Sequence, residues 1–311
     1  MGWFPTNWFP WNLFAIDWLP VDWLVYILPE RWLISICQSA KARHAVFSRY
    51  DIANEVIRIS NNIVVKCGWN VGPGEAAIQK FAAQKLNHRG ILRVPHVYRY
   101  FQVSCPRYGW PKGYLFMEYI PGPTLDQEEI DLSRIAVAEN VCERLAEAVL
   151  EMSSITDDNN GIPGPVGGGN PLKGYLWGDD GTKVILNSVD DLNHWLNKRL
   201  KIINKAIDLH PYPFVLCHLD LTRRNIKFMG EYNKKANSNY SICLLDWGHA
   251  GLFPRCFELA AAPCINDDSD NYLYEDCLVQ TIAAVMGPSE QERNDVNLLR
   301  RARGASLRYI L

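Results

Sequence analysis

The 311-residue sequence has nine cysteines but no Cys-x-x-Cys pair, and an odd cysteine count. Neither a disulfide framework nor a zinc site is written in it, so a reducing, cytoplasmic setting is expected. It also lacks a basic excess: 32 Lys and Arg stand against 34 Asp and Glu, a formal net charge of −2. That removes the electrostatic ground for a nucleic-acid partner. There is no internal repeat and no low-complexity tract. What remains is an ordinary globular composition, 48% hydrophobic and 21% charged, long enough for one large domain or two modest ones. Cys217 and Cys243 fall inside apolar runs and read as small buried hydrophobes.

The first 32 residues hold six of the eleven tryptophans (Trp3, Trp8, Trp11, Trp18, Trp23, Trp32). This leader has no basic n-region and no small-residue cleavage site, which makes it a poor signal peptide. A spanning helix needs roughly 20 consecutive apolar residues, and Pro5, Pro10, Asp17, Pro20, Asp22 and Glu30 interrupt the run. Two readings stay open: an interfacial segment with indoles at a membrane surface, or an apolar strap on the body of the protein or on a partner. The absence of Lys and Arg before Arg31 favours the strap.

Beyond a basic bridge at Ser39–Arg49, periodicity organises the chain. Val56–Ser60 and Ile63–Cys67 are β-branched runs separated by Asn61-Asn62, a tight-turn pair. The alanine-rich stretch Glu75–Asn87 predicts a helix, and Val97–Val103 and Gly113–Tyr119 predict further strands. From Leu132 to Met152 the apolar positions fall on one helical face. Gly161–Asn170 is glycine-rich, but no strand precedes it and no Gly-Lys-Ser/Thr follows, so it reads as a surface loop. Ser188 opens a Ser-x-x-Asp capping box for a helix running to about Ile207. Three short strands are expected within 212–248, then closing helices over Glu275–Met286 and Glu290–Tyr309. The expected division is a leader over 1–45, a sheet lobe over 46–119 and a mainly helical lobe over 120–311.

The chemistry concentrates in two short elements. Leu216-Cys217-His218-Leu219-Asp220-Leu221-Thr222-Arg223-Arg224-Asn225 contains His-x-Asp-x-x-x-x-Asn, and Leu244-Leu245-Asp246-Trp247-Gly248 follows about twenty residues later. Phosphoryl transfer needs a carboxylate to orient the attacking hydroxyl and oxygen ligands to hold Mg²⁺ against nucleotide phosphates. Asp220 supplies the first, and Asn225 with Asp246 the second. Lys66, ending the run Ile63-Val64-Val65, can reach phosphate oxygens. Glu75 is the natural carboxylate to orient it, since Glu55 is the only other acidic residue between Asp51 and Glu118. His218 organises the loop through hydrogen bonds or moves a proton. Arg223 and Arg224 bind phosphate or are solvated loop charges, and His249 reads as structural.

The set Val65-Lys66, Glu75, Met117-Glu118-Tyr119-Ile120-Pro121-Gly122, His218 to Asn225 and Leu245-Asp246-Trp247 resembles the aminoglycoside phosphotransferase / choline kinase-like family, most closely its fungal-type branch. The resemblance covers roughly residues 50–260. It implies an α+β, bilobal protein kinase-like fold, with a small antiparallel-sheet N-lobe carrying one helix and a larger, mainly helical C-lobe. It also implies ATP with Mg²⁺ and transfer of the γ-phosphoryl group to a small-molecule hydroxyl. By resemblance, Asp220 is the catalytic base, with His218 in the same element. Asn225 and Asp246 are then the metal ligands, and Lys66 is the contact to the α/β-phosphates. Glu118 to Ile120 is the segment whose backbone meets adenine, and Glu258 is an acidic residue on the substrate side. The turn Ile59-Ser60-Asn61-Asn62, where a glycine-rich phosphate lid is expected, contains no glycine. That departure motivates the alternative of a pseudokinase serving as a nucleotide-binding or scaffolding module. Leu219 where protein kinases carry Arg, Asp-Trp-Gly in place of Asp-Phe-Gly and the lack of Ala-Pro-Glu argue against a protein kinase.

Overall fold

The computed structural model describes residues 22–42, 46–49, 54–104, 109–127, 135–156, 161–229, 241–264 and 272–308. In chain order the elements are α1 (Asp22–Ile27), α2 (Glu30–Ala42), β1 (Val46–Arg49), β2 (Asn54–Arg58), β3 (Ile63–Gly68), α3 (Pro73–Leu86), β4 (Leu92–Arg93), β5 (Val97–Ser104) and β6 (Pro111–Glu118). Then follow α4 (Ile135–Ser153), α5 (Val189–Leu200), β7 (Phe214–Cys217), β8 (Ile226–Met229), β9 (Ser241–Leu244), β10 (Gly251–Pro254), α6 (Cys256–Ala261), α7 (Tyr272–Met286) and α8 (Glu290–Arg308). Two compact units divide them: Met1–Pro73 with His96–Ile120, and Gly74–Pro95 with Pro121–Leu311.

The first unit is a five-stranded antiparallel sheet in the order β1-β2-β3-β6-β5. Its core joins Ile57, Ile63, Val65, Cys67, Phe101 and Phe116 to Val25, Leu33, Cys37 and Ala40 of α1 and α2. The described part of the leader is thus a strap on the protein's own sheet: α1 packs on β5 and α2 on β2. Arg99 fixes the end of α1, its Nη1 donating to the carbonyls of Val25 (3.1 Å), Tyr26 (3.3 Å) and Leu28 (2.7 Å). A cation there satisfies carbonyls that a helix C-terminus leaves without partners. Trp3, Trp8, Trp11 and Trp18 lie outside the described residues. Among the described residues no helix is long and apolar enough to cross a membrane.

Strand β1 occupies residues that the sequence assigns to a basic bridge. The Ile59–Asn62 turn therefore closes the second strand pair of the sheet; residues 50–53, between β1 and β2, lie outside the described residues. The Ile59–Asn62 turn closes on itself. Ile59 N–H and Ser60 N–H donate to the Ile63 carbonyl, and Asn62 N–H and Ile63 N–H to Ser60 Oγ. A turn so bonded has no need of the positive φ that glycine supplies.

The second unit is mainly helical, with two small sheets inside it. β4-β9-β8 form one, β4 parallel and β8 antiparallel to β9, and β7 pairs antiparallel with β10 in the other. Helix α3, which the sequence groups with the first sheet, belongs here. Its buried Ile78, Ala82 and Leu86 share one core with Leu92, Leu145, Leu244 and Trp247. Ser188 caps α5 as its sequence predicts, Oγ accepting from Asp191 N–H at 3.1 Å, but the α-helix ends at Leu200 and tightens into a short 3₁₀ turn over Lys201–Ile203. β10 and α6 carry no periodic signal of their own and arise from pairing with β7 and burial against α8.

Candidate active site

The site is built from two loops held at both ends. β7 leads into residues 218–225 and β8 leaves them; β9 leads into 245–250 and β10 leaves them. Because β7 pairs with β10 (Cys217↔Gly251) and β8 with β9 (Ile226↔Leu244), both ends of one loop lie beside both ends of the other. The loops are also joined directly. Leu245 N–H donates to the Asn225 carbonyl at 2.7 Å, and His218 Nε2 lies 3.0 Å from the Leu245 carbonyl. The His218 ring meets Trp247 edge-on at 4.8 Å between centroids.

Each loop turns through one residue with left-handed backbone, Leu219 at φ 62° and Asp246 at φ 56°. For a residue with a Cβ this costs on the order of 1–3 kcal/mol and persists where the surroundings enforce it. Glu258 of α6 enforces the first. Its carboxylate, 2% exposed, accepts from His218 N–H at 2.6 Å and from Leu219 N–H at 3.1 Å. Asp246 supports its own turn, Oδ1 accepting from Gly248 N–H at 3.2 Å. The sequence places Glu258 on the substrate side; the structure makes it an anchor of the Asp220 loop. Its position in the chain carries no signal of this, because the contact reaches back 40 residues.

Asp220 is 4% exposed, and its Oδ1 has no hydrogen-bond partner among the described residues. Its Oδ2 lies 3.5 Å from His249 Nδ1 and 4.0 Å from Arg224 Nη2. A buried carboxylate oxygen without a donor is costly unless a further group completes it. Arg224 is held by Tyr175, to whose hydroxyl it donates at 2.9 Å, and the Tyr175 ring packs edge-on against His249. Gly174, at φ 115°, lets the Tyr175 turn approach: a Cβ there would stand 2.9 Å from the His249 ring. Sequence reasoning leaves Tyr175 out entirely and sets His249 aside as structural. The position of His249, three residues from Asp246, is a local signal of its place at the site, whereas nothing local marks Tyr175.

Asn225 is 2% exposed and donates through Nδ2 to the Asp220 carbonyl at 3.1 Å. Asp220 and Asp246 act on the same two neighbours. Burial pushes the His218 imidazole below its ordinary value while both carboxylates pull it upward. Burial, then Asp220, pushes the Tyr175 hydroxyl above its ordinary value, and Asp246 adds to this. Glu75, 6% exposed in the first turn of α3, lies against the second loop, its Oε2 3.6 Å from where a Cβ on Gly248 would sit. Asn225 and Asp246 offer an amide and a carboxylate oxygen, the hard donors that Mg²⁺ takes alongside substrate phosphates and water. Such a site needs no all-protein cage, and among the described residues no cluster of three His, Cys, Asp or Glu side chains forms one.

The remaining residues singled out from sequence lie in the first unit. Lys66 is 7% exposed on β3, opposite Val56 and Leu115 in register. By strand alternation it faces away from the side on which Val65 and Cys67 join the leader helices. Glu118 N–H donates to the His96 carbonyl at 2.8 Å and Tyr119 N–H to the Asn62 carbonyl at 2.8 Å, while Ile120 is buried.

Burial gives the anchor a pH signature. Glu258 is pushed up to about 7 from an ordinary 4.5, chiefly by desolvation and against the pull of its two backbone donors. A folded-state value above the unfolded one means the native protein binds the proton more tightly. Its contribution is complete below about pH 4.5 and is lost as pH rises through about 7, an effect on the order of 3 kcal/mol. Denaturant midpoints of the wild type are expected to fall between pH 5 and 8 more steeply than those of Glu258→Gln. Equal slopes would contradict this account.

The two units, an antiparallel sheet and a mainly helical body with a paired-loop carboxylate site, make this an α+β protein kinase-like fold. Residues 73–274 match the model of the phosphotransferase enzyme family (APH), and the chain belongs to that family. No curated protein matches the sequence. Among solved structures, amicoumacin kinase hAmiN in complex with AMP-PNP, Ca²⁺ and Ami superposes with TM-score 0.50 at 10% identity, over 92% of this chain and 86% of that one. The GDP complex of wild-type aminoglycoside 2'-phosphotransferase-IIIa gives 0.47 at 13% identity, over 90% of each chain. A microcompartment-associated aminopropanol kinase gives 0.48 at 15%, over 88% of each.

Proposed function

We propose that the protein transfers the γ-phosphoryl group of ATP to a hydroxyl of a small molecule. The observation that carries this reading is the buried Asp220 Oδ1, which lacks a donor among the described residues and stands in a loop joined to the one bearing Asp246. A substrate hydroxyl is the donor that would complete it. Asp220 then orients that oxygen toward the γ-phosphorus and accepts its proton as the new O–P bond forms and the bond to the β-phosphate oxygen breaks. His249 and Arg224 steady the anionic carboxylate, and His218 holds the two loops together through Leu245. Asn225 and Asp246 would hold Mg²⁺, which neutralises charge on the phosphates when bound. Lys66 is assigned to the α/β-phosphates, Glu75 to orienting its ammonium, and the backbone of Glu118 and Ile120 to adenine. Family membership supports phosphoryl transfer, and the likeness to a kinase solved with AMP-PNP supports ATP as the donor.

The test is transfer of label from γ-labelled ATP to hydroxyl compounds of a metabolite extract, with and without Mg²⁺. Wild-type protein is expected to label at least one compound in a Mg²⁺-dependent way. Asp246→Ala is expected to reduce labelling by about a hundredfold or more, since charge neutralisation supplies much of the acceleration. Wild-type labelling by Asp246→Ala would refute the assignment.

A further inference from the structure

A second site lies elsewhere in the helical unit. The loop over 178–186, helix α5 and the end of α8 enclose a cavity of about 660 Å³ that shares no lining residue with the carboxylate site. Trp177, Trp195 and Leu186 are buried in its wall. Its most unusual member is Arg199, a guanidinium in a residue only 8% exposed. Arg199 lies over the Trp195 ring, 3.1 Å from the centroid, donates through Nε to Ser306 Oγ at 2.7 Å, and through Nη1 to the Trp195 carbonyl at 3.0 Å. Its Nη2 has no partner, and no carboxylate lies within ion-pair distance, among the described residues.

Buried cations are ordinarily paired, because an uncompensated charge in a low-dielectric site is expensive. Burial alone drives Arg199 down to about 10 from an ordinary 12.5. The acidic residues of the wall do not supply the counter-charge. Asp180 pairs with Lys183, and Asp191 accepts from Asn187 N–H at 2.8 Å; Asp179 lines the wall without approaching Arg199. Exposed Lys198 and Arg308 add two more positive charges at the rim, beside His194.

We propose that this cavity binds a small oxyanion, a carboxylate or phosphate carried on an apolar body. Arg199 anchors the anion, Lys198 and Arg308 attract it, and the indole and leucine surfaces receive the rest. A guanidinium presents paired donors that match both carboxylate and phosphate geometry, and stacking on Trp195 fixes its plane before any ligand arrives. The site requires no step of the phosphoryl-transfer reaction.

Titration calorimetry of the full chain with benzoate and with inorganic phosphate, at low and high salt, tests this. Wild-type protein is expected to bind at least one probe, more weakly as salt rises. Preference for benzoate would identify a carboxylate on an apolar body, and preference for phosphate a phosphate group; either is the predicted site. Arg199→Gln is expected to abolish binding. Because that change also removes packing on Trp195, the deciding variant is Lys198→Ala with Arg308→Ala, both exposed. It should melt like wild type yet bind about fivefold more weakly. Undetectable binding by the wild type at about ten millimolar probe, weaker than any useful affinity, overturns the proposal. So does equal binding by wild type and the double variant.

Discussion

Asp220→Asn is expected to lower phosphoryl transfer at least a thousandfold while leaving the melting temperature unchanged or raised. The two halves of this expectation have one cause. In the folded protein Asp220 Oδ1 is buried with no donor among the described residues, and Oδ2 has His249 at 3.5 Å and Arg224 at 4.0 Å, both beyond good hydrogen-bond length. The native state therefore keeps a carboxylate whose solvation is incompletely replaced, a cost on the order of 1–3 kcal/mol. Asparagine has the same shape without the charge, so the fold loses little. The reaction loses more: an amide cannot accept the hydroxyl proton, and it orients the nucleophile poorly. General-base catalysis contributes roughly 10²–10⁴-fold, and loss of orientation adds to it. Single-turnover transfer and thermal melts on the same preparations check both halves. A variant that is as active as the wild type, or that melts far below it, would remove Asp220 from the proposed role.

Glu258→Ala should do the opposite, damaging stability first and activity as a consequence. The carboxylate is fully enclosed and takes the backbone N–H groups of His218 and Leu219. Truncation leaves both donors buried without acceptors, each costing on the order of 1–3 kcal/mol. It also frees Leu219 from the left-handed conformation on which the direction of Asp220 depends. The expected loss is about 3 kcal/mol or more, with turnover falling even under conditions where the variant is folded. Glu258→Gln keeps one oxygen acceptor and should fall between the two. Denaturant unfolding followed by kinetics on the folded fraction separates the effects, and a Glu258→Ala protein of wild-type stability would show that the anchor is dispensable.

The behaviour of Glu258 marks where local reading stops. The Asp220 and Asp246 elements are legible because phosphoryl-transfer chemistry constrains residue type and spacing over a few positions. The helices α3, α4, α5, α7 and α8 are legible through apolar periodicity. Strand β1 and the described leader helices have no such local signal. Their stability comes from packing on a sheet whose other strands lie as much as 74 residues away, as the Arg99 contacts to the end of α1 show. Tyr175 is unmarked for the same reason, since its partner Arg224 is 49 residues distant.

By itself the sequence determined the order of elements, the residue types available for chemistry and the family resemblance, all properties of short windows. Tertiary structure decided which groups meet. It brought the two loops together by pairing β7 with β10 and β8 with β9, turned Glu258 from a substrate-side candidate into a backbone anchor, and left Arg199 buried without a counter-ion among the described residues. Those outcomes depend on desolvation and on contacts between distant segments. Both are set by the packed chain, and neither has a period or spacing that a linear reading detects.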